Sequence, residues 1–200
     1  MALLIDYYVS LNSPWTHLGA ARIEALAAQH GAAIRIWPVD FGTIFAGSGG
    51  LPLPKRSPQR QAYRLVELKR FSTFLKLPLN LHPKFFPVPG DDASRLIIAV
   101  DQHDGADAAM RVCGALLAVV WAQERNLADA AVLAEVLHEQ HLPAERLQQS
   151  QQADVQALYQ AHTEEALKRG VFGAPTFVVE GELFWGQDRL DFLERRLQQG

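Results

Sequence analysis

Residues 3–16 read Leu-Leu-Ile-Asp-Tyr-Tyr-Val-Ser-Leu-Asn-Ser-Pro-Trp-Thr, and the side-chain chemistry changes once along them. Residues 3–9 are branched and aromatic, as suits a strand. Ser10 to Ser13 make a polar turn, and Ser13-Pro14 opens a helix with Ser as the N-cap and Pro at the first helical position. Gly19, Ala20, Ile23, Leu26 and Ala27 then recur at helical spacing, and His30-Gly31 closes the helix. A second strand follows at residues 34–39. Strand, helix and strand at this spacing predict a βαβ unit with parallel strands.

The other end of the chain supplies the complement. Thr176 to Val179 and Glu182 to Trp185 flank Glu180-Gly181, a turn short enough for an antiparallel hairpin. A last helix places Leu190, Leu193 and Leu197 on one face and sets Asp191 four residues before Arg195. Between the two ends, residues 42–168 read as helices and loops. A glycine- and proline-rich loop at residues 47–54 precedes a helix that starts at Ser57-Pro58 and runs to about Leu77. Further helices are predicted near residues 92–103, 106–124, 129–140 and 150–169, without repeats. Two half-sheets with open edges complete each other, so the expected fold is α/β, one sheet interrupted by a helical insertion.

Composition narrows the function. The 200 residues are 48% hydrophobic and 20% charged, with 19 Lys and Arg against 22 Asp and Glu and a net charge of −3. That balance implies no nucleic-acid or membrane field. No apolar run approaches the ~18 residues of a membrane span. Asp6 cuts the apolar start short and no basic segment precedes it, so no leader is expected. Cys113 is the single cysteine, which excludes an internal disulfide; its apolar surroundings mark it as inert core sulfur. A cytoplasmic protein is the simplest account. His138 and His141 lack further ligands, Glu135-x-x-His138 has no second copy, and the glycines at 47–50 lack a Gly-Lys-Ser/Thr ending. No metal site is expected.

Three short motifs carry the chemistry. At Ser13-Pro14 the unpaired N–H groups and dipole of a helix N-terminus favour an anion, and a hydroxyl can donate to it. A plain helix start uses the same dipeptide, as Ser57-Pro58 does. Gly173-Ala174-Pro175-Thr176 puts a proline just ahead of a strand, which marks either a cis turn or an edge strand. At Trp185-Gly186-Gln187-Asp188-Arg189 a strand meets a helix, where N–H groups can hold a carboxylate and Asp188 an ammonium, or Asp188 can simply cap.

The order βαβ, helices, ββα, with a proline ahead of the third strand, resembles the thioredoxin superfamily. Ser13-Pro14-Trp15-Thr16 stands where its redox members carry Cys-Pro-x-Cys, and both sulfurs are missing. Thiol–disulfide exchange is thereby excluded at that position. Together with Gly-Val-Phe-Gly-Ala-Pro-Thr at 170–176, Leu-Phe-Trp-Gly-Gln-Asp-Arg-Leu at 183–190 and Leu-His-Pro-Lys-Phe-Phe-Pro at 81–87, the motif resembles the 2-hydroxychromene-2-carboxylate isomerases, relatives of the kappa-class glutathione transferases.

The resemblance implies a thioredoxin-like domain from residues 1–41 and 170–200 with a helical domain, 42–169, inserted between its halves. It implies glutathione as cofactor, Ser13 as the catalytic residue, and Ser13, Ala174, Pro175 (cis), Trp185, Gly186, Gln187 and Asp188 as its binding residues. A small aromatic acid would meet Trp15 and Phe85. The family often has a Lys after the Phe that matches Phe45, where this chain has Ala46; Lys55 and Arg56 are the candidates to hold the substrate carboxylate in its place, or are solvated loop charges. A homodimer is implied as well. The activity implied is glutathione-dependent isomerisation; the alternatives are conjugation, as in the kappa-class transferases, and glutathione binding without chemistry.

Overall fold

The computed structural model describes residues 3–199. Met1, Ala2 and Gly200, on which the leader reading and the outer domain limits partly fall, lie outside the described residues. The elements run β1 (Leu4–Val9), α1 (Pro14–His30), β2 (Ala33–Pro38), α2 (Phe41–Ser48), α3 (Pro58–Leu75), α4 (Asp91–Asp104), α5 (Ala106–Trp121), α6 (Ala130–Glu139), α7 (Arg146–Gln149), α8 (Ala153–Lys168), β3 (Thr176–Val179), β4 (Glu182–Trp185) and α9 (Leu190–Leu197). Single 3-10 turns lie at Leu53–Lys55 and Gln187–Arg189.

The described strands form one sheet in the order β2-β1-β3-β4. β1 and β2 are parallel, as the βαβ reading expects, and β3 pairs antiparallel with both β1 and β4. Pairing of β1 with β3, Tyr7 opposite Phe177 and Tyr8 opposite Thr176, joins the two ends of the chain. Glu180 and Gly181 both take positive φ, 49° and 86°, which matches the right-handed twist of a two-residue hairpin. This is a thioredoxin-like α/β fold.

Both faces of the sheet are covered, which explains why β1 is nearly continuous in apolar residues. On one face Ile5, Tyr7, Val9, Phe177 and Val179 join the main core with Leu96, Val112, Leu116 and Trp121 of α4 and α5. On the other, Tyr8 and Val178 pack with Phe41 and Ile44 of α2 and Ala166 of α8. The inserted helices therefore share their core with the sheet.

Several boundaries differ from the sequence reading. The glycine-rich stretch at 47–54 begins as helix: the Asp40 carboxylate accepts the Gly42 and Thr43 N–H groups and starts α2, and Gly49, at φ 74°, ends it. A Cβ on Gly47 would stand 3.0 Å from Leu167, so this glycine allows α2 to approach α8 closely. The one-turn helix α7 is too short to show a period. Asp191 and Arg195 form no ion pair among the described residues; Arg196 instead meets Glu180 and Glu182 across the hairpin.

Asp6 is the one acidic side chain in the buried part of β1. Its Oδ1 accepts from Arg35 Nε at 2.6 Å and Trp37 Nε1 at 2.9 Å, and its Oδ2 from Arg169 Nη1 at 2.6 Å. Burial pushes the carboxyl pKa up, but the bonds from Arg35, Trp37 and Arg169 outweigh it and hold the group below the usual carboxylate value. Asp6→Asn should therefore destabilise the protein at neutral pH by on the order of 1.5–3 kcal/mol in urea titrations. A depressed pKa contributes stability that is complete above the ordinary value of about 3.9 and disappears as pH falls through the folded-state value, so the gap between the two proteins should narrow below about pH 4. A gap independent of pH would contradict this assignment.

Candidate active site

The head of α1 is built by Ser13. Its backbone is extended, at φ −101° and ψ 112°, and its Oγ accepts the Thr16 N–H at 3.2 Å, the N-cap bond expected from Ser-Pro. The hydroxyl has a second bond that the sequence does not announce: it donates to the Ala174 carbonyl at 2.9 Å. Pro14 has no N–H, and the Trp15 N–H finds no acceptor among the described residues. Thr16 is fully buried and its Oγ1 has no partner there. Of the two positions that carry sulfur in the redox motif, only Ser13 reaches the Ala174 side. His17, one residue on, donates from Nε2 to the Pro78 carbonyl at 3.0 Å. Burial lowers its imidazole pKa more than that bond raises it, so the ring is neutral at pH 7.

Opposite the helix, the Ala174–Pro175 peptide is cis. Pro175 is buried behind it, and the Pro175 carbonyl accepts the Gly186 N–H at 2.9 Å. The Ala174 N–H donates to no described residue. Trp185 stands half exposed, tilted against Phe172 with ring centres 4.7 Å apart. A Cβ on Gly173 would collide with that indole, so glycine is what lets Trp185 lie across the Ala174 loop.

The turn after β4 is fastened to α1. Gly186 has φ 106°, a conformation that favours glycine. Gln187 is buried, and Arg22 Nη1 donates to both its carbonyl, at 2.9 Å, and its Oε1, at 2.5 Å. Gly19 lets the turn come close, since a Cβ there would be 3.0 Å from Gln187 Cβ. Asp188 caps neither helix start; its carboxylate pairs with Arg189 Nη1 at 2.7 Å.

These pieces surround a groove of about 250 Å³ lined by Trp15, Ala174 and Trp185 to Arg189, with Glu67 and Phe71 of α3 as the far wall. Phe71 meets Trp15 edge-on at 5.9 Å. Trp15, Ala174, Trp185, Gly186, Gln187 and Asp188 thus come together around the groove, and Ser13, outside the lining, is tied to it through its bond to Ala174. Five expected residues are not in its lining: Ser13, hydrogen-bonded to Ala174, its neighbour Pro175, and Lys55, Arg56 and Phe85. Lys55 is exposed at the end of a 3-10 turn, Arg56 Nε is bonded to the Leu51 carbonyl at 2.8 Å, and Phe85 lies beneath Lys84 Nζ, 5.1 Å from its ring centre. Its neighbour Phe86 turns inward instead, onto Trp121. Arg22, Glu67 and Phe71 escaped the sequence reading, because only the packing of α1 and α3 on the last turn brings them there; Arg189 belongs to the quoted motif but was given no role. Cys113 is buried in α5, where burial, then Glu24, pushes its thiol pKa well up. No group of three metal-ligating side chains occurs among the described residues, and no helix there is long and apolar enough to cross a membrane.

Parallel β1–β2, the β3–β4 hairpin and a cis proline facing the head of α1 define a thioredoxin-like domain, and the chain belongs to the DSBA-like thioredoxin domain family, whose model matches residues 4–198. Among curated relatives it is similar to the 2-hydroxychromene-2-carboxylate isomerase of Sphingobium xenophagum, 28% identical over 200 residues that span 98% of this chain and 99% of that one. It is similar also to the protein of that name from Pseudomonas putida, 27% identical over 197 residues, 96% of this chain and 93% of the relative. Among solved structures, an HCCA isomerase superposes with a TM-score of 0.83 at 23% identity, over 98% of this chain and 95% of the other. The cytosolic disulfide reductase DsbM of Pseudomonas aeruginosa with GSH superposes with a TM-score of 0.69 at 17% identity, over 98% and 100%. Both structures share the fold.

The Gly173–Trp185 contact gives a direct check. Gly173→Ala should cost about 1–3 kcal/mol by overpacking in the otherwise unaltered protein, and less than half of that in a Trp185→Ala background. Equal costs in the two backgrounds would show that the indole does not hold the loop.

Proposed function

We propose that this chain is a glutathione-dependent isomerase of a 2-hydroxychromene-2-carboxylate-type aromatic acid. The observation that carries the reading is the Ser13 hydroxyl, set at the head of α1 and bonded at 2.9 Å to the carbonyl beside the cis proline. Relatives at 27–28% identity that bear the isomerase name support the reaction class. A structure of the same fold with GSH supports the tripeptide.

The residues fit such a ligand. The unpartnered Ala174 N–H and its carbonyl offer a strand-like pairing to a peptide backbone, and the turn after Gly186 offers the Gln187 and Asp188 N–H groups and the Asp188 carboxylate elsewhere in the groove. Held by Ala174 and the Gln187–Asp188 turn, glutathione would supply a thiolate nucleophile for reversible addition to a conjugated double bond, a chemistry that consumes no thiol.

Ser13 has to change partner to act. While its hydroxyl donates to Ala174, it has nothing to give a sulfur. Once the Ala174 carbonyl accepts a peptide N–H instead, rotation of the O–H about the Ser13 Cβ–Oγ bond frees the proton while Oγ keeps its place at the head of α1, near the Trp15 N–H, which also has no partner among the described residues. A hydrogen bond to a charged group is worth about 1.5–3 kcal/mol and a helix terminus about 0.3–1. One pKa unit corresponds to about 1.4 kcal/mol, so the two together take a thiol from its usual pKa of about 8.5 to neutrality or below. Neutral His17 adds no charge, which leaves Ser13 and the helix terminus as the stabilising groups.

Turnover of 2-hydroxychromene-2-carboxylate should fall by roughly tenfold or more in Ser13→Ala. The same variant loses its helix cap, at about 0.5–2 kcal/mol, so Ser13→Thr, which restores the hydroxyl, should recover most of the rate. Unchanged turnover in Ser13→Ala would refute the role of Ser13. Loss of one glutathione per product would assign the chain to conjugation.

A further inference from the structure

Arg22 is a cation on α1 that stands behind the last turn and meets no acid among the described residues. Its Nη1 donates to the Gln187 carbonyl at 2.9 Å and to Gln187 Oε1 at 2.5 Å, both neutral acceptors. Other arginines of the chain are matched with carboxylates: Arg35 and Arg169 with Asp6, Arg146 with Asp104. Gln187 is buried, and Gly19, one turn before Arg22 on the same face of α1, leaves room for it: a Cβ there would stand 3.0 Å from Gln187 Cβ. A glycine followed by a long cation seats the turn against the helix.

The carbonyl that Arg22 holds belongs to the same peptide unit as the Asp188 N–H. Donation to a carbonyl polarises its peptide, and the N–H at the other end becomes a stronger donor. This peptide is trans, so with its C=O aimed at Arg22 its N–H is aimed away from Arg22. The Gly186 N–H meets the Pro175 carbonyl and the Arg189 N–H the Gly186 carbonyl, but the Gln187 and Asp188 N–H groups between them find no acceptor among the described residues. Both residues line the groove. The charge of Arg22 therefore reaches an anion in the groove through one peptide group. The Asp188 carboxylate stands at the same turn. A bare anion is disfavoured beside it, whereas an amino-acid head group, with a carboxylate for the N–H groups and an ammonium for Asp188, suits both.

We propose that Arg22 is a positioning residue that acts through the Gln187–Asp188 peptide and makes the turn selective for a ligand carboxylate, the α-carboxylate of a γ-glutamyl group. The assignment rests on the glutathione reading for the identity of the ligand. It adds to that reading a source for the selectivity: the charge sits on α1, the helix that Ser13 caps, so head group and sulfur are held relative to one rigid element.

Calorimetric titration with glutathione and with 4-aminobutyryl-cysteinylglycine, which lacks only the α-carboxylate, tests this. The unaltered protein should bind glutathione roughly tenfold or more tightly than the analogue. Arg22→Met should cut that ratio to about threefold or less, by weakening glutathione while the Kd of the analogue stays within about twofold. Arg22→Gln, which keeps a donor without the charge, should behave as Arg22→Met does; Arg22→Lys, which keeps the charge without the fork, should retain part of the ratio. Glutathione and analogue weakened alike in the two neutral variants would mean that Arg22 only fastens the turn, and would overturn the proposal. A ratio that both neutral variants leave unchanged overturns it too. Failure of the isomerase reading looks different: 2-hydroxychromene-2-carboxylate would not turn over, while the Arg22-dependent ratio would persist. No binding of either tripeptide to the folded, unaltered protein would end both.

Discussion

The bond from the Ser13 hydroxyl to the Ala174 carbonyl joins the first helix to the cis-proline loop across 161 positions of sequence, and the geometry of the groove depends on it. It exists because β1 pairs with β3, which brings the two chain ends into one sheet. The same hydroxyl caps α1 through Thr16. A single side chain thus serves helix start, loop position and, in the proposed reaction, sulfur. Such a shared hydrogen bond is a switch, because a ligand that satisfies the Ala174 carbonyl releases the hydroxyl for other use.

Two charges are answered by the fold in different ways. Asp6 is surrounded by donors from Arg35, Trp37 and Arg169, and its charge is spent on holding β2 and the end of α8 to the sheet. Arg64 is only half-buried, and the Phe86 and Trp121 rings beneath its guanidinium take the place of an acid.

Much of the fold was legible from local chemistry. The aromatic strand before Ser13-Pro14, the Glu180-Gly181 turn and the proline ahead of β3 each have a local cause, and each lies where that cause puts it. The groove residues at 174 and 185–188 were legible from motifs. What stayed hidden depends on contacts between distant segments. Gly47 reads as loop until Leu167 is packed on it, and Gly173 reads as turn until Trp185 is laid over it. Arg64 is one of many charges on a polar helix, and only its placement over Phe86 and Trp121 distinguishes it. Lys55 and Arg56 were chosen because they follow Ala46 closely in sequence and Phe85 as an aromatic of the helical block, and none of the three lines the groove.

The central claim is that a hydroxyl at a helix N-terminus keeps a borrowed sulfur ionised. Ultraviolet titration of thiolate absorbance for glutathione bound to the unaltered protein tests it without any substrate. The account predicts that the bound thiol ionises at least about one pH unit below the ordinary value of about 8.5. Glutathione that binds with an unshifted thiol, or does not bind to the folded protein at all, would contradict it.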